Sequence, residues 1–333
     1  MDEIITLDYG SGGLRTAQLI EEILVPAFRN PALEVLGDGA VLPKPESPLV
    51  FSTDSFVVTP WKFPGGDIGK LAVCGTVNDV CMAGGKPLYL SLSCILEEGF
   101  CMEDFREIVA SIAKTAKEVG VQVVTGDTKV VERGHGDGIY LNTAGIGVLR
   151  APGLSKDAIR PGDAVLVSGS VGCHGAAVLF ARGEIPFAGS LSSDCQPLQE
   201  LSAAALDAGG VRVLRDPTRG GVATTLSEFV EHSALSIELD ETAIPVDPQV
   251  EAACALLGLD PLYSACEGRM LAVTAPETAE AVLQAMRRTP GGEGAACIGR
   301  VTQSHPGHVV LRTAAGGSRL LGKLSGAQLP RIC

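Results

Sequence analysis

Four apolar runs in the first 150 residues, PLVFSTDSFVV, PLYLSLSCIL, VQVVTGDTKVV and IYLNTAGIGVL, are rich in β-branched residues and bounded by Gly or Pro. Such runs suit the pleated, half-buried environment of a strand. Between two of them Phe105, Ile108, Val109, Ile112, Ala116 and Val119 recur at helical spacing, with Asp104 available as N-cap and Gly120 as terminator. Strands alternating with a helical stripe predict an α/β layered fold.

The pattern then restarts. The polar stretch RAPGLSKDAIRPGD, marked by Pro and Gly, reads as a domain junction. Beyond it AVLVSGSVG leads into HGAAVLFARG, GGVATTLSEFVEHSA and PETAEAVLQAMRR read as helices, and LSIELD, GRMLAVTA and HVVLRTAAG read as strands. A chain of 333 residues exceeds the size at which a single core usually stops growing. The expected division is a domain over 1–150, a second over 151–325, and a mobile tail over 326–333. That tail, GAQLPRIC, has little apolar content and ends on a thiol, Cys333. Fully extended, it reaches about 26 Å at roughly 3.3 Å per residue.

Composition narrows the function. Hydrophobic residues make up 46% and aromatics only 4%, so cores must be filled by Ala, Val, Leu and Ile. A net charge of -13 argues against a nucleic-acid groove, and any bound phosphate must be managed locally, by backbone N–H groups or a bridging cation. The acidic N-terminus lacks the pattern of a signal peptide, and no run has the length of a membrane span. Ten cysteines without a C-x-x-C pair point to free thiols in a reducing cytoplasm rather than a zinc ribbon. His305 and His308, in HPGH, read as a turn.

Five aspartates share a setting at the ends of apolar, strand-like runs: Asp38, Asp54, Asp79, Asp127 and Asp216. Carboxylates on a sheet rim can hold Mg²⁺ while leaving positions for water and nucleotide phosphates. Taken singly, each also fits a turn former. GSGG (Gly10 to Gly13) and PTRGG (Pro217 to Gly221) each precede a helix-like stretch, where N–H groups can face an anion, and the second adds Arg219. GSGG alone is also an ordinary turn. GGDIGKL lacks the P-loop spacing, and no GxGxxG opens a helix.

Together GDIGKLAVCGTVNDVCMAGGKPLYLS, VVTGDTKVV, RDPTRGGVAT, DPLYSACEGR and the terminal PRIC resemble the HypE family of hydrogenase maturation proteins. This family lies in the ATP-binding superfamily of aminoimidazole ribonucleotide synthetase and selenophosphate synthetase. The resemblance implies a two-domain PurM-like α/β (α+β) fold with mixed sheets, and a homodimer that builds its nucleotide site across two N-terminal halves. It implies that the carbamoyltransferase HypF loads a carbamoyl group onto Cys333. ATP then drives dehydration to a thiocyanate, and the cyano group passes to iron in a HypC–HypD complex. By resemblance Asp38, Asp54, Asp79 and Asp216 hold Mg²⁺ and the triphosphate. Gly12, Gly13, Asn78, Asp127, Thr128, Arg219, Gly220 and Gly221 complete the nucleotide set. Lys129, Glu267 and His232 are the candidates for orienting and deprotonating the carbamoyl group; without the resemblance Lys129 and Glu267 would read as surface charges.

The sequence departs from the family pattern at Tyr9, where His is common, at Cys173, where an acid is frequent, and at Cys266, where Asn is usual. For the thiol itself, Arg331 should favour the thiolate and the terminal carboxylate oppose it. Two rival readings stand beside this one: another synthetase of the superfamily, selenophosphate-type, and a noncatalytic scaffold that docks partners through its tail.

Overall fold

The computed structural model describes residues 2–183, 190–324, 326 and 331–333. Half of the expected eight-residue tail, residues 327–330, therefore lies outside the described residues, but its last three do not.

The chain opens with α1 (Leu14–Leu19), a π-helical turn (Ile20–Leu24) and α2 (Val25–Phe28). After a long loop come β1 (Leu49–Phe56), a small hairpin of β2 (Lys62–Phe63) and β3 (Gly66–Asp67), then α3 (Ile68–Met82), β4 (Gly85–Glu97), α4 (Met102–Val119), β5 (Gln122–Val131) and β6 (Ile139–Leu149). The four long strands form one sheet in the order β1-β6-β4-β5, antiparallel except for the parallel β4–β5 pair. α4 is the amphipathic helix expected from its stripe, and it ends at left-handed Gly120. Its N-cap is Cys101, however, and Asp104 lies inside the first turn.

The second half runs β7 (Ala164–Val167), α5 (Cys173–Ala181), α6 (Gln199–Ala208), β8 (Val211–Arg215), α7 (Gly221–Val230), β9 (Ser236–Asp240), α8 (Pro248–Leu257), β10 (Leu271–Thr274), α9 (Ala279–Arg287), β11 (Ala296–Thr302), β12 (Val309–Arg312) and β13 (Ser318–Leu321). Among the described residues these strands make a mixed sheet in the order β13-β12-β9-β11-β7-β10-β8, with β12 and β9 parallel.

α3 holds the halves together. It is apolar nearly all round, and Leu71, Ala72, Val73, Cys74 and Val77 have no exposed surface. A helix with that pattern must be enclosed on every side. It is capped by Asp67, whose Oδ1 accepts from the Gly69 and Lys70 N–H groups. Gly69 lets it approach α4, since a Cβ there would stand 2.7 Å from the Ile108 carbonyl oxygen. One continuous core then joins Leu71, Ile108 and Leu141 of the first half to Leu166, Leu198, Leu214 and Ala272 of the second. Each such Leu or Ile side chain contributes about 1.5–3 kcal/mol by leaving water. Ile332, one residue from the terminus, belongs to this same core. A second core, around Val165, Val222, Ile237 and Leu271, lies within the second half alone.

Candidate active site

The strands of the first sheet alternate in exposure. On β1, Val50, Ser52, Asp54 and Phe56 are more buried than Leu49, Phe51, Thr53 and Ser55. Asp54 therefore lies on the side of α3, close to the Phe56 ring against which Gly75 packs. Asp79 comes from α3 itself. Its Oδ2 accepts from Ser52 Oγ at 2.7 Å, which ties the helix carboxylate to the strand carrying Asp54. The strand-like setting expected for Asp79 is thus a helix, because the apolar run around it is enclosed rather than pleated. Asp216 follows the end of β8 and opens the loop into α7.

That loop needs its glycines. Gly220 and Gly221 have φ of 81° and 61°, and a Cβ on Gly221 would meet the Leu262 carbonyl oxygen at 2.4 Å. The turn places Arg219 among the carboxylates.

The group is electrostatically tense. Burial raises the Asp216 carboxyl to about 7, and the charges of Asp79 and Asp54 push in the same direction. Burial likewise raises Asp54, with Asp79 adding repulsion and Arg219 opposing it. Glu267 is 3% exposed, and burial holds its carboxyl well above the carboxylate range, reinforced by Cys195, Asp216, Asp194 and Asp54. Glu267 Oε1 is buried without a hydrogen-bond partner among the described residues.

Cys333 completes the cluster. The Cys333 carbonyl accepts from Val57 N–H at 3.0 Å and the Arg331 carbonyl from Thr59 N–H at 3.3 Å, so the terminus lies along the segment after β1 like a short added strand. Arg331 Nε donates to the Val57 carbonyl, and its guanidinium pairs with Asp137 and stands over the Tyr140 ring. Arg182 Nη2 donates to the Arg331 carbonyl at 2.9 Å. The thiol is pushed up to about 12 by burial, then by Glu267, against the pull of Arg219. Arg331, expected to favour the thiolate, is turned toward Asp137 instead, and the cation that acts on the sulfur is Arg219.

The structure brings together Asp54, Asp79, Asp216, Arg219, Glu267 and Cys333. Asn78 stands behind them as a bolt: its Nδ2 donates to the Gln196 and Glu267 carbonyls, and its Oδ1 accepts from Leu198 N–H at 2.8 Å. Other candidates lie apart. Asp127 and Thr128 are on β5, at the opposite edge of the sheet from β1, where they line a cavity of about 310 Å³ with α1, Gly37 and Gly39. Lys129 pairs with Asp127 at 2.6 Å and is 60% exposed. Asp38 is exposed in the loop beside Gly37 and Gly39, and Gly12 and Gly13 are exposed ahead of α1. His232 follows the C-terminal end of α7, about 15 Å along the helix from Gly221 at 1.5 Å per residue. Its place is beside Glu231, away from the carboxylate cluster.

Three residues near the cluster escaped sequence reasoning. Asp194 is fully buried, raised to about 6 by burial against the pull of Arg269, and its Oδ1 accepts from Glu267 N–H at 3.0 Å. Cys195 adjoins Glu267, and His174 contacts the tail. Only His174 carried a signal, as a polar residue opening an otherwise apolar helical run; the loop SSDCQ carried none.

The chain as a whole falls in a known class. AIR synthase related proteins match through their N-terminal domain over residues 36–149 and their C-terminal domain over 160–312. A carbamoyl dehydratase HypE from Cupriavidus necator is 52% identical over 332 residues, covering 99% of this chain and 95% of the relative. A crystal structure of the hydrogenase maturation protein HypE in complex with ATP is 49% identical and superimposes with a TM-score of 0.95, covering 98% of this chain and 99% of that one. A chain in a crystal structure of a HypE–HypF complex is 45% identical, with a TM-score of 0.80 and coverage of 92% of this chain and 99% of that one. Within the AIR synthase related class, the chain belongs to the HypE family of carbamoyl dehydratases.

Among the described residues no helix is long and apolar enough to cross a membrane, and no three His, Cys, Asp or Glu side chains are grouped closely enough to cage a metal ion.

Proposed function

We propose that this chain dehydrates a carbamoyl group carried on Cys333 to a thiocyanate, at the expense of ATP, as a step in making cyanide ligands for hydrogenase iron. The observation that carries the reading is the docking of the terminal thiol beside Glu267, Arg219 and Asp54. A terminal cysteine otherwise has no reason to be drawn into a cleft where burial holds it as a thiol.

Dehydration removes the carbamoyl oxygen and both N–H protons. Hydroxide leaves poorly, so the oxygen first takes a phosphoryl group from ATP and then departs as phosphate while the C≡N bond forms. Arg219 and the first turn of α7 face the phosphate. Ile332 and the surrounding core shield one side of the half-buried Cys333 from solvent. Glu267, unpartnered at Oε1, is the group placed to take an N–H proton. Its raised pKa makes its anion a strong base, freed as the neighbouring carboxylates are neutralised.

Hard oxygen donors under mutual repulsion fit Mg²⁺. The ion binds through one or two protein carboxylates and takes its remaining ligands from phosphates and water, so a ready-made cage is not required. Asp54, Asp79 and Asp216 would share such ions, one or two carboxylates to each, and the ions would neutralise charge on the phosphates.

Lys129 is exposed on the face of the sheet that also carries Phe51 and Ile95, 66% and 42% exposed. Covering this face with a second copy gives Lys129 and Asp127 a route to a partner's cleft, which supports the homodimer reading. Loading of Cys333 is assigned to HypF and acceptance of the cyano group to HypC–HypD. Protein carbamoylated at Cys333 should lose one water on addition of MgATP, read by intact mass; modification of Cys333→Ser to the same extent would remove the assigned acceptor. A scaffold would keep its function when Asp79 becomes Asn, whereas this reading requires its loss.

A further inference from the structure

We infer that His174 couples docking of the C-terminal tail to alignment of Glu267, making it a positioning residue of the dehydration; the inference rests on the functional reading above. His174 has no exposed surface and sits in the first turn of α5. Both ring nitrogens are engaged: Nε2 lies 2.5 Å from the Ile332 carbonyl oxygen and Nδ1 2.8 Å from Ser193 Oγ. A carbonyl can only accept, so Nε2 carries the hydrogen, Nδ1 is the acceptor, and the Ser193 hydroxyl donates to it. Burial keeps the ring neutral, lowering its pKa to about 4, which agrees with that tautomer. The Phe63 ring meets the imidazole edge-on at 5.4 Å and restricts its tilt.

Two routes lead from this ring to Glu267. Ser193 Oγ also accepts from Cys195 N–H at 3.0 Å, and Ser193 N–H donates to the Pro64 carbonyl at 2.8 Å, so the loop around Asp194 hangs between His174 and the β2–β3 hairpin. Asp194 in turn holds the Glu267 N–H. Along the second route, the α5 turn donates from Gly175 N–H to the Ala265 carbonyl at 3.1 Å and from Gly172 N–H to Cys266 Sγ at 3.1 Å. Withdrawing the tail leaves a buried Nε2–H without its acceptor, a desolvated donor that the fold must re-pair. The ring or its turn must shift to recover a partner, and either movement displaces the backbone that aims Glu267. A simple latch would need one donor; this one has its second nitrogen tied to the support of the base.

The test compares variants carbamoylated at Cys333 in single turnover with MgATP. It is joined to the alkylation rate of the uncarbamoylated Cys333 thiol, mapped on the peptide released by cleavage after Lys323. His174→Ala should speed alkylation and slow water loss, each by about tenfold or more, the size expected for one buried hydrogen bond. His174→Gln keeps a donor for Ile332 but not the Ser193 link. It should restore protection to within about threefold of wild type while dehydration stays down about tenfold. Ser193→Ala, a smaller change that leaves the Ile332 bond in place, should behave like His174→Gln. Dehydration at the wild-type rate in His174→Gln or Ser193→Ala would reduce His174 to a latch and overturn the coupling. Should wild-type carbamoylated protein lose no water, the functional reading fails instead. Equal alkylation rates in wild type and His174→Ala would then still refute the docking role.

Discussion

Two short stretches, VFSTDSFVV and VVTGDTKVV, are nearly the same sentence in sequence, an aspartate inside a β-branched strand with hydroxyls around it, and the fold treats them in opposite ways. Asp54 faces α3 on one edge strand, half-buried, its carboxyl raised by burial and by Asp79. Asp127 stands on the other edge strand, exposed and paired with Lys129. The pleat sends alternate residues to opposite faces, and which face is inner depends on where α3 packs. Composition cannot report that choice, because it is a property of register and layering.

The largest expected effect lies on the inner edge. Asp54→Asn should lower single-turnover water loss by about a hundredfold or more, measured by intact mass, because charge placed against a reacting phosphate is worth several kcal/mol in a cleft that excludes water. A near-normal rate would mean the inner edge is structural.

Complementation sharpens the comparison next. If Lys129 serves a partner's cleft, Lys129→Ala and Asp54→Asn proteins, each inactive alone, should recover about a quarter of wild-type sites when subunits are exchanged at random, since half the dimers are mixed and each has one intact site. No recovery, with exchange confirmed by native mass, would place both residues in the same site or remove Lys129 from it.

The buried partner of Asp54 should show in stability. Asp216 has an ordinary value of 3.8 and rises to about 7 in the folded chain, so the folded state binds the proton more tightly than the unfolded one. Its contribution is therefore full below pH 3.8 and is lost as pH rises through about 7. In urea unfolding without nucleotide or metal, the advantage of Asp216→Asn over wild type should grow across that window by up to on the order of 4 kcal/mol. A flat difference would mean that the carboxyl is not desolvated as the fold describes.

Asn78→Ala should cost about 1–3 kcal/mol, because it strands the Leu198 N–H and two carbonyls where the halves meet. Smallest of all, Asp127→Ala should change stability by less than about 1 kcal/mol, as expected for an exposed ion pair.

The strands of the first sheet, the α4 stripe and the glycine turn before α7 were readable because each is a local pattern with a local cause. α3 was not. A fully enclosed helix loses the one-sided periodicity by which helices are recognised, and its β-branched content imitates a strand, so the run around Asp79 reads as a strand although it is helical. Asn78 joins α3 to the Gln196–Leu198 segment and Glu267, a structural duty that its place in the sequence did not announce. His232 looked close to PTRGG in sequence, yet the whole length of α7 separates them. Asp194 and Ser193 lay in a loop without pattern, because what matters there is which backbone N–H and which ring they meet.

By itself the amino-acid sequence determined the layered α/β character, the glycine-bearing turns, the acidic residues available for chemistry and the thiol at the end of the chain, since covalent order and local sterics suffice for these. Only the tertiary structure decided which carboxylates share a cleft, that the terminal tripeptide lies against Val57–Thr59 with its sulfur beside Glu267, and that His174 spans tail and base. Those outcomes depend on contacts between residues more than 150 positions apart in the chain. Their energies come from burial and pairing, which no stretch of sequence possesses until the layers have packed.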